Sequence, residues 1–259
     1  HHGHDYFPLM ASRKNEICGI FPLYRLNSKT HRSRLISVPF AVAGGIVADS
    51  AEVEEKLLES ALALAKEKGA ASLVLKQYKH KIDANLFTDD NFYNRELSIN
   101  MGVDRLWAGL ADINNAMISS ANDSDLSLEF PSRNIDDFYR ILFSYNHRQG
   151  IPCVSKQWIL DLVESSMYSC ALVRRRGRVV TGTLVKCFKQ TVSLPFTALA
   201  RTDEVHHRAA YWLYWELISA HAKLGYEIFH SGRIPNNESV PDFRVVWNGT
   251  KYPYFYQYY

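Results

Sequence analysis

The chain is short of the features that name a function at sight. It has four cysteines, Cys18, Cys153, Cys170 and Cys187, and the last three follow one another at intervals of 17. That spacing excludes a CxxC redox or metal unit. Cys170 and Cys187 fall in apolar, strand-like stretches and read as buried thiols, with no disulfide expected. No run of 18 apolar residues occurs, so no membrane-spanning helix is expected, and no secretory signal is visible. No segment sustains heptads over 30 or more residues, which excludes a long coiled coil. The formal net charge is only +3, too small to argue for a nucleic-acid binder. It allows an anionic substrate without demanding one.

Aromatic residues, by contrast, are plentiful: 15 Tyr, 13 Phe and 5 Trp. Tyrosine in such numbers marks half-buried surfaces where one end of the ring stays wet. The start, His1–His2–Gly3–His4, resembles a metal cluster on paper, but a tag remnant or chain end explains it more simply, and no metal is expected. The chain then enters a strand within a few residues, which reads as a first domain truncated at its N-terminus.

Periodicity predicts two halves with the same order of elements. Residues 6–26 read as a hairpin around Arg13–Lys14–Asn15, residues 35–40 as a third strand, and residues 51–68 as a helix. That helix has an apolar face of Leu57, Leu58, Ala61, Leu62 and Ala65, acids in its first turn and lysines in its last, and Gly69 stops it. Residues 71–75 form a short buried strand. Residues 77–105 read as polar and irregular, with Asp89–Asp90–Asn91 as a loop, and residues 106–121 as one helix. The second half predicts helices from Asn134 to Gln149 and from the cap Ser155 to Met167. Strands over 168–173, 179–188 and 191–200 follow, then a helix over 207–224 and a strand over 226–229. The order strand, strand, strand, helix, strand occurs twice, without any repeat of amino acids. The fold class expected is α/β, with two tandem mixed-sheet domains: residues 1–124 with a connecting helix, and residues 125–259 with an aromatic C-terminal tail.

The residues best placed for chemistry sit where strands end, because open α/β folds place ligands there. The run Tyr226–Glu227–Ile228–Phe229–His230–Ser231–Gly232–Arg233 takes an apolar strand into a polar turn. A guanidinium forks onto carboxylates and phosphates, so Arg233 is the first candidate for substrate binding, or else the anchor of the C-terminal loop. His230, one residue before the turn, is a candidate general base whose ordinary pKa suits the task; the alternative is a partly buried histidine bonded to that loop. Lys76 ends the corresponding strand of the first half and suits an anion. Arg148 ends a helix and can reach a substrate or simply complement the helix dipole. Tyr139 and Tyr211 are large enough to line a cleft against a sugar or peptide, or to serve only in packing. The basic turn Arg174–Arg175–Arg176–Gly177–Arg178 could bind phosphate, yet a solvated turn needs no partner.

Several stretches stand out together: Gly3–His4–Asp5–Tyr6, Gly19–Ile20–Phe21–Pro22–Leu23, Leu35–Ile36–Ser37–Val38–Pro39–Phe40 with Gly44–Gly45, Asp137–Phe138–Tyr139, Arg148–Gln149–Gly150–Ile151–Pro152, Tyr211–Trp212–Leu213–Tyr214–Trp215, Ser231–Gly232–Arg233 and Phe243–Arg244–Val245–Val246–Trp247. Taken together they resemble the FemAB-like family associated with exopolysaccharide and protein-sorting gene clusters. The resemblance spans nearly the whole chain in unbroken order. It implies two acyltransferase folds of the GNAT type (GCN5-related N-acetyltransferase). It also implies transfer of an acyl or aminoacyl group to an amine of a cell-envelope sugar or peptide precursor, with aminoacyl-tRNA or acyl-CoA as donor. A cytoplasmic protein, at the inner face of the membrane, follows from the same likeness. Two departures matter. A basic helix of such relatives corresponds here to Asn114–Asn115–Ala116–Met117–Ile118–Ser119–Ser120–Ala121, which has no cation and disfavours tRNA. The helix starts at Asp203–Glu204 and Ala48–Asp49–Ser50–Ala51–Glu52 carry acids and no glycine, which disfavours the pyrophosphate of acyl-CoA. A binding or scaffold protein of envelope assembly is the alternative from another class.

Overall fold

The structure is a computed structural model and describes residues 3–27, 32–122, 125–236, 244 and 247–259. In chain order its elements are β1 (Asp5–Arg13), β2 (Glu16–Leu26), β3 (Arg34–Ser37), β4 (Val47–Ala48), α1 (Ala51–Glu67), β5 (Ser72–Tyr78), β6 (Phe87–Ser98), α2 (Val103–Ala108) and α3 (Asp112–Asn122). They continue with β7 (Leu126–Ser132), α4 (Ile135–Arg148), α5 (Lys156–Glu164), β8 (Tyr168–Arg175), β9 (Arg178–Phe188), β10 (Thr191–Leu199), α6 (Glu204–Lys223), β11 (Ile228–His230), β12 (Ile234–Pro235) and β13 (Thr250–Tyr258). Two compact units result, one of His1–Tyr93 with Tyr252–Tyr259, the other of Asn94–Lys251.

In the first unit β1, β2 and β3 form an antiparallel meander. The chain then crosses through α1 and returns as β5, parallel to β3, with β13 antiparallel to β5 on its other side. Helix α1 starts where the Ser50 hydroxyl accepts from the Val53 amide, with Glu52 and Glu54 in its first turn. Its apolar face, Leu57, Ala61 and Ala65, packs with Phe21, Leu23, Leu35, Leu73 and Leu75 into the unit's core. Fully burying a side chain of this size stabilises by roughly 1.5–3 kcal/mol.

The second unit repeats that plan. Strands β8, β9 and β10 form the meander, α6 crosses over, β11 returns parallel to β10, and β6 pairs antiparallel with β11. Strand β7 adds to the outer side of β8. Strand order and direction are therefore the same in both units, as the sequence order predicts. One face of this sheet packs on α6 through Val192, Phe229, Leu213, Tyr214 and Leu217. The other packs on α4 and α5 through Leu172, Leu184, Phe138, Leu142 and Ile159.

The structure corrects several sequence expectations. Residues 77–105 are not irregular: β6 runs through Asp89–Asp90–Asn91, because a strand paired with remote partners needs little apolar content of its own. The single helix expected over residues 106–121 is two, α2 and α3, separated at the cap Gly109. Helix α5 stops at Glu164 rather than Met167. The aromatic tail is the strand β13, and it belongs to the first unit's sheet. Packing also divides the chain elsewhere than residue 124. Ile99, Leu106, Leu110 and Ile118 join the core around Tyr214, and Tyr252–Tyr259 joins the first unit. His1, His2, Asp123, Ser124, Phe243, Val245 and Val246, on which some expectations fell, lie outside the described residues. Among the described residues no helix is long and apolar enough to cross a membrane.

Candidate functional site

In the second unit the strands place a row of polar side chains on one sheet face. Register sets Glu96 opposite His230, His230 beside Ser193, Ser193 opposite Lys186 and Lys186 opposite Tyr168. Neighbouring strands lie about 4.8 Å apart, and paired residues point to the same face. Successive residues alternate, so Leu97, Phe229 and Val192 point the other way, toward α6. The alternation of Phe229 and His230 thus gives the strand one anchor in the core and one functional group on the far face.

His230 Nε2 lies 3.1 Å from Glu96 Oε1, with side-chain exposures of 23% and 13%. A neutral imidazole that donates from Nε2 to this carboxylate carries its lone pair on Nδ1. A carboxylate so close also stabilises the imidazolium that forms when that lone pair takes a proton. The pair sits where β10 and β11 part company. Their pairing covers only residues 191–193 and 228–230. Beyond it β10 bulges between Ser193 and Phe196, where Pro195 has no amide to donate. After His230 the Ser231 amide donates to the Arg95 carbonyl, and Gly232 turns the chain at φ +86°. A Cβ there would lie 2.9 Å from the Leu194 carbonyl oxygen, so this close approach needs glycine. Arg233 then emerges exposed, and its carbonyl accepts from Arg244 Nη1 at 2.7 Å. His230 and Arg233 are thereby presented together on either side of one glycine turn.

The remaining sequence candidates lie elsewhere. Arg148 donates through Nη1 to Ser144 Oγ at 2.7 Å and through Nη2 to the Leu199 carbonyl at 2.6 Å, tying the end of α4 to the end of β10. Leu199 is six residues along β10 from Ser193, roughly 20 Å at the strand rise. The Tyr139 hydroxyl donates to the Val154 carbonyl at 3.0 Å, and burial pushes its pKa up. Tyr211 is buried, and its ring lies 6.4 Å from that of Trp247, which stacks on Tyr214 at 5.9 Å. Lys76 is in the first unit. Its Nζ donates to the Ala41 carbonyl at 3.0 Å, while its carbonyl accepts from the amides of Gly44 and Gly45. It lines a recess of about 420 Å³ together with Gly44, Gly45, Tyr78, Glu54 and His80, and His80 Nε2 lies 2.8 Å from Glu54 Oε1. In the basic hairpin, Arg174 bonds Glu129 at 3.1 Å and Asp137 at 2.7 Å.

Sequence reasoning missed Glu96, Ser193 and Lys186. Glu96 lay in a stretch read as irregular, and no sequence signal gives the register that brings it to His230.

The residues do not fit a coenzyme A pyrophosphate at either crossover-helix start. At α6 the Asp203 side chain accepts from the His206 amide at 3.1 Å. Its hydrogen bond with the His206 ring holds its carboxyl below the usual carboxylate range. Glu204 follows and pairs with Arg208. At α1, Ser50 occupies the cap, with Glu52 and Glu54 behind it. Acids at both starts repel the anion that a helix N-terminus otherwise attracts.

No protein-family model and no curated protein matches the chain. Solved structures do. FemX superposes with a TM-score of 0.70 at 11% identity, over 98% of this chain and 88% of that one. L-PGS from Bacillus licheniformis superposes with a TM-score of 0.62 at 9% identity, over 98% and 83%. A tandem GNAT protein from the clavulanic acid biosynthesis pathway gives 0.59 at 10% identity, over 100% and 83%. At these identities the likeness establishes the fold alone: a mixed α/β architecture whose two similar units are consistent with the topology of the tandem GNAT protein.

Proposed function

We propose that the second unit transfers an acyl or aminoacyl group to an amine of a cell-envelope sugar or peptide precursor, at the site where β10 and β11 separate. The observation that carries the reading is the 3.1 Å His230–Glu96 pair beside the Gly232 turn. In the reaction His230 Nδ1 takes a proton from the attacking amine as its nitrogen adds to the donor carbonyl. Glu96 holds the ring and stabilises the imidazolium. The proton then passes to the departing alcohol or thiol, closing the cycle. General-base assistance of this kind contributes roughly 10²–10⁴-fold. Arg233, exposed on the far side of the turn, anchors an anionic group of the acceptor. Arg148, Tyr139 and Tyr211 act through position: Arg148 and Tyr139 brace α4, and Tyr211 backs the aromatic layer behind β11.

Aminoacyl-tRNA and acyl-CoA are the two donors proposed. The acids at the starts of α1 and α6 count against coenzyme A there. The absence of any Lys or Arg in α3 removes a phosphate contact that a tRNA would use. Those same two observations favour a second reading, a non-catalytic binding or scaffold protein of envelope assembly. Lys76 and its recess in the first unit are proposed to bind an anionic group of a substrate, and the protein is proposed to act in the cytoplasm at the inner face of the membrane. Calorimetry with acetyl-CoA and with a charged tRNA tests the reading. Binding of one donor supports transfer, whereas binding of neither leaves the scaffold reading.

A further inference from the structure

The other face of the same sheet carries a separate recess. Leu97 follows Glu96 on β6 and so points away from His230, and it lines a cavity of about 120 Å³ with Leu106, Leu110, Trp215 and Ile218. Leu106, Leu110 and Ile218 are at most 9% exposed, so the walls belong to the core and are preformed. Trp215 is braced edge-on by Trp107, ring centroids 5.0 Å apart. Two polar side chains also line the cavity, and both are exposed, which places them at its mouth: Arg105 and Asn248. Asn248 is fixed there by donating to the Gly109 carbonyl at 2.6 Å. No carboxylate among the described residues pairs with the Arg105 guanidinium.

An open apolar cavity with core walls leaves dispersion contacts unmade on its empty side. Apolar cavities of about 150 Å³ stay dry and hold benzene, so about 120 Å³ suits a group of that order, one ring or a chain of roughly four to five carbons. A cation that has no carboxylate partner among the described residues, at the mouth, selects a ligand whose apolar end enters and whose other end is anionic. We propose that this recess is a binding site for a small amphiphilic carboxylate, an aryl or short-chain acid, lodged between α2, α6 and Leu97 with its carboxylate on Arg105. The site is on the opposite sheet face from His230 and stands independently of the acyl-transfer reading.

The test uses the full chain and two probes that share a ring and differ in charge, phenylacetate and phenylacetamide. The chain has five tryptophans, and Trp215→Phe identifies the Trp215 indole signal in a nitrogen-15-labelled sample. Phenylacetate should move that signal saturably and bind roughly two- to fivefold more tightly than phenylacetamide, the range expected of an exposed charge pair. Arg105→Ala, a surface change, should bring phenylacetate down to the affinity of phenylacetamide. Leu110→Phe, which fills the recess, should weaken both probes. A Trp215 signal that does not move saturably with phenylacetate overturns the site. Equal affinities in the unaltered protein, or a preference that survives Arg105→Ala, overturn the carboxylate assignment.

Discussion

Substituting Gly232 with alanine probes the turn that presents His230 and Arg233. Two terms oppose the change. The backbone sits at φ +86°, in the left-handed half of conformational space, where a side chain costs roughly 1–2 kcal/mol. The new Cβ would also lie 2.9 Å from the Leu194 carbonyl oxygen. That oxygen belongs to backbone at the β10 bulge and cannot swing aside as a side chain does, so relief of the contact costs roughly another 1–3 kcal/mol. Gly225 supplies the control. It has the same φ of +86° and nothing within 4 Å of its would-be Cβ. Gly225→Ala should therefore carry the conformational cost alone, and Gly232→Ala that cost plus the contact. For a domain of this size each kcal/mol shifts the midpoint by about 2–4 °C. The difference between the two variants in a thermal melt should thus be roughly 2–12 °C, with Gly232→Ala the less stable. Equal midpoints would refute the close approach of the turn to β10, and with it the geometry given for the site.

Two other perturbations separate structural from functional roles. His221 is buried, its Nδ1 lies 2.7 Å from the Leu217 carbonyl, and burial pushes its pKa down. The native state therefore keeps the ring neutral where the unfolded chain protonates it. Its contribution is complete above the ordinary value of 6.5 and is lost as pH falls from there toward the lowered native value. The melting temperature should drop more steeply between pH 7 and pH 5.5 in the unaltered protein than in His221→Gln, and identical slopes would remove His221 from the account. Arg233→Lys keeps the charge and loses the fork. Since the side chain is exposed, stability should change by no more than about 0.5 kcal/mol, while calorimetry should record weaker binding of an anionic acceptor. A clear fall in melting temperature with binding intact would make Arg233 an anchor of the C-terminal loop instead.

Much of the architecture was legible because it is written locally. The spacing of Leu57, Ala61 and Ala65, the acids after Ser50 and the glycine at 69 mark α1 from end to end, and the same signs mark α4 and α6. The twofold order of elements was visible too, and the parallel returns of β5 onto β3 and of β11 onto β10 give it physical form. What escaped was everything set by distant pairing. Strand β6 is polar for most of its length and owes its conformation to β11, which lies far along the chain. The aromatic run of β13 looked like a tail because its partner β5 precedes it by well over a hundred residues. His230 could be picked out by its place at a strand end. Glu96 could not, because register is a property of two strands together. The reaction's two proposed helpers therefore differed in legibility: one is positioned by its own segment, the other only by the sheet.

Transfer itself gives the most direct test of the central claim. A labelled acyl group on charged tRNA, and in parallel on coenzyme A, would be offered with amine-bearing envelope precursors to the unaltered protein and to His230→Ala. The His230–Glu96 account predicts amide formation from one of the donors by the unaltered protein and a loss of roughly 10²–10⁴-fold in the variant, with both proteins melting alike. Amide formation that is undiminished in His230→Ala, or none from either donor, would contradict it.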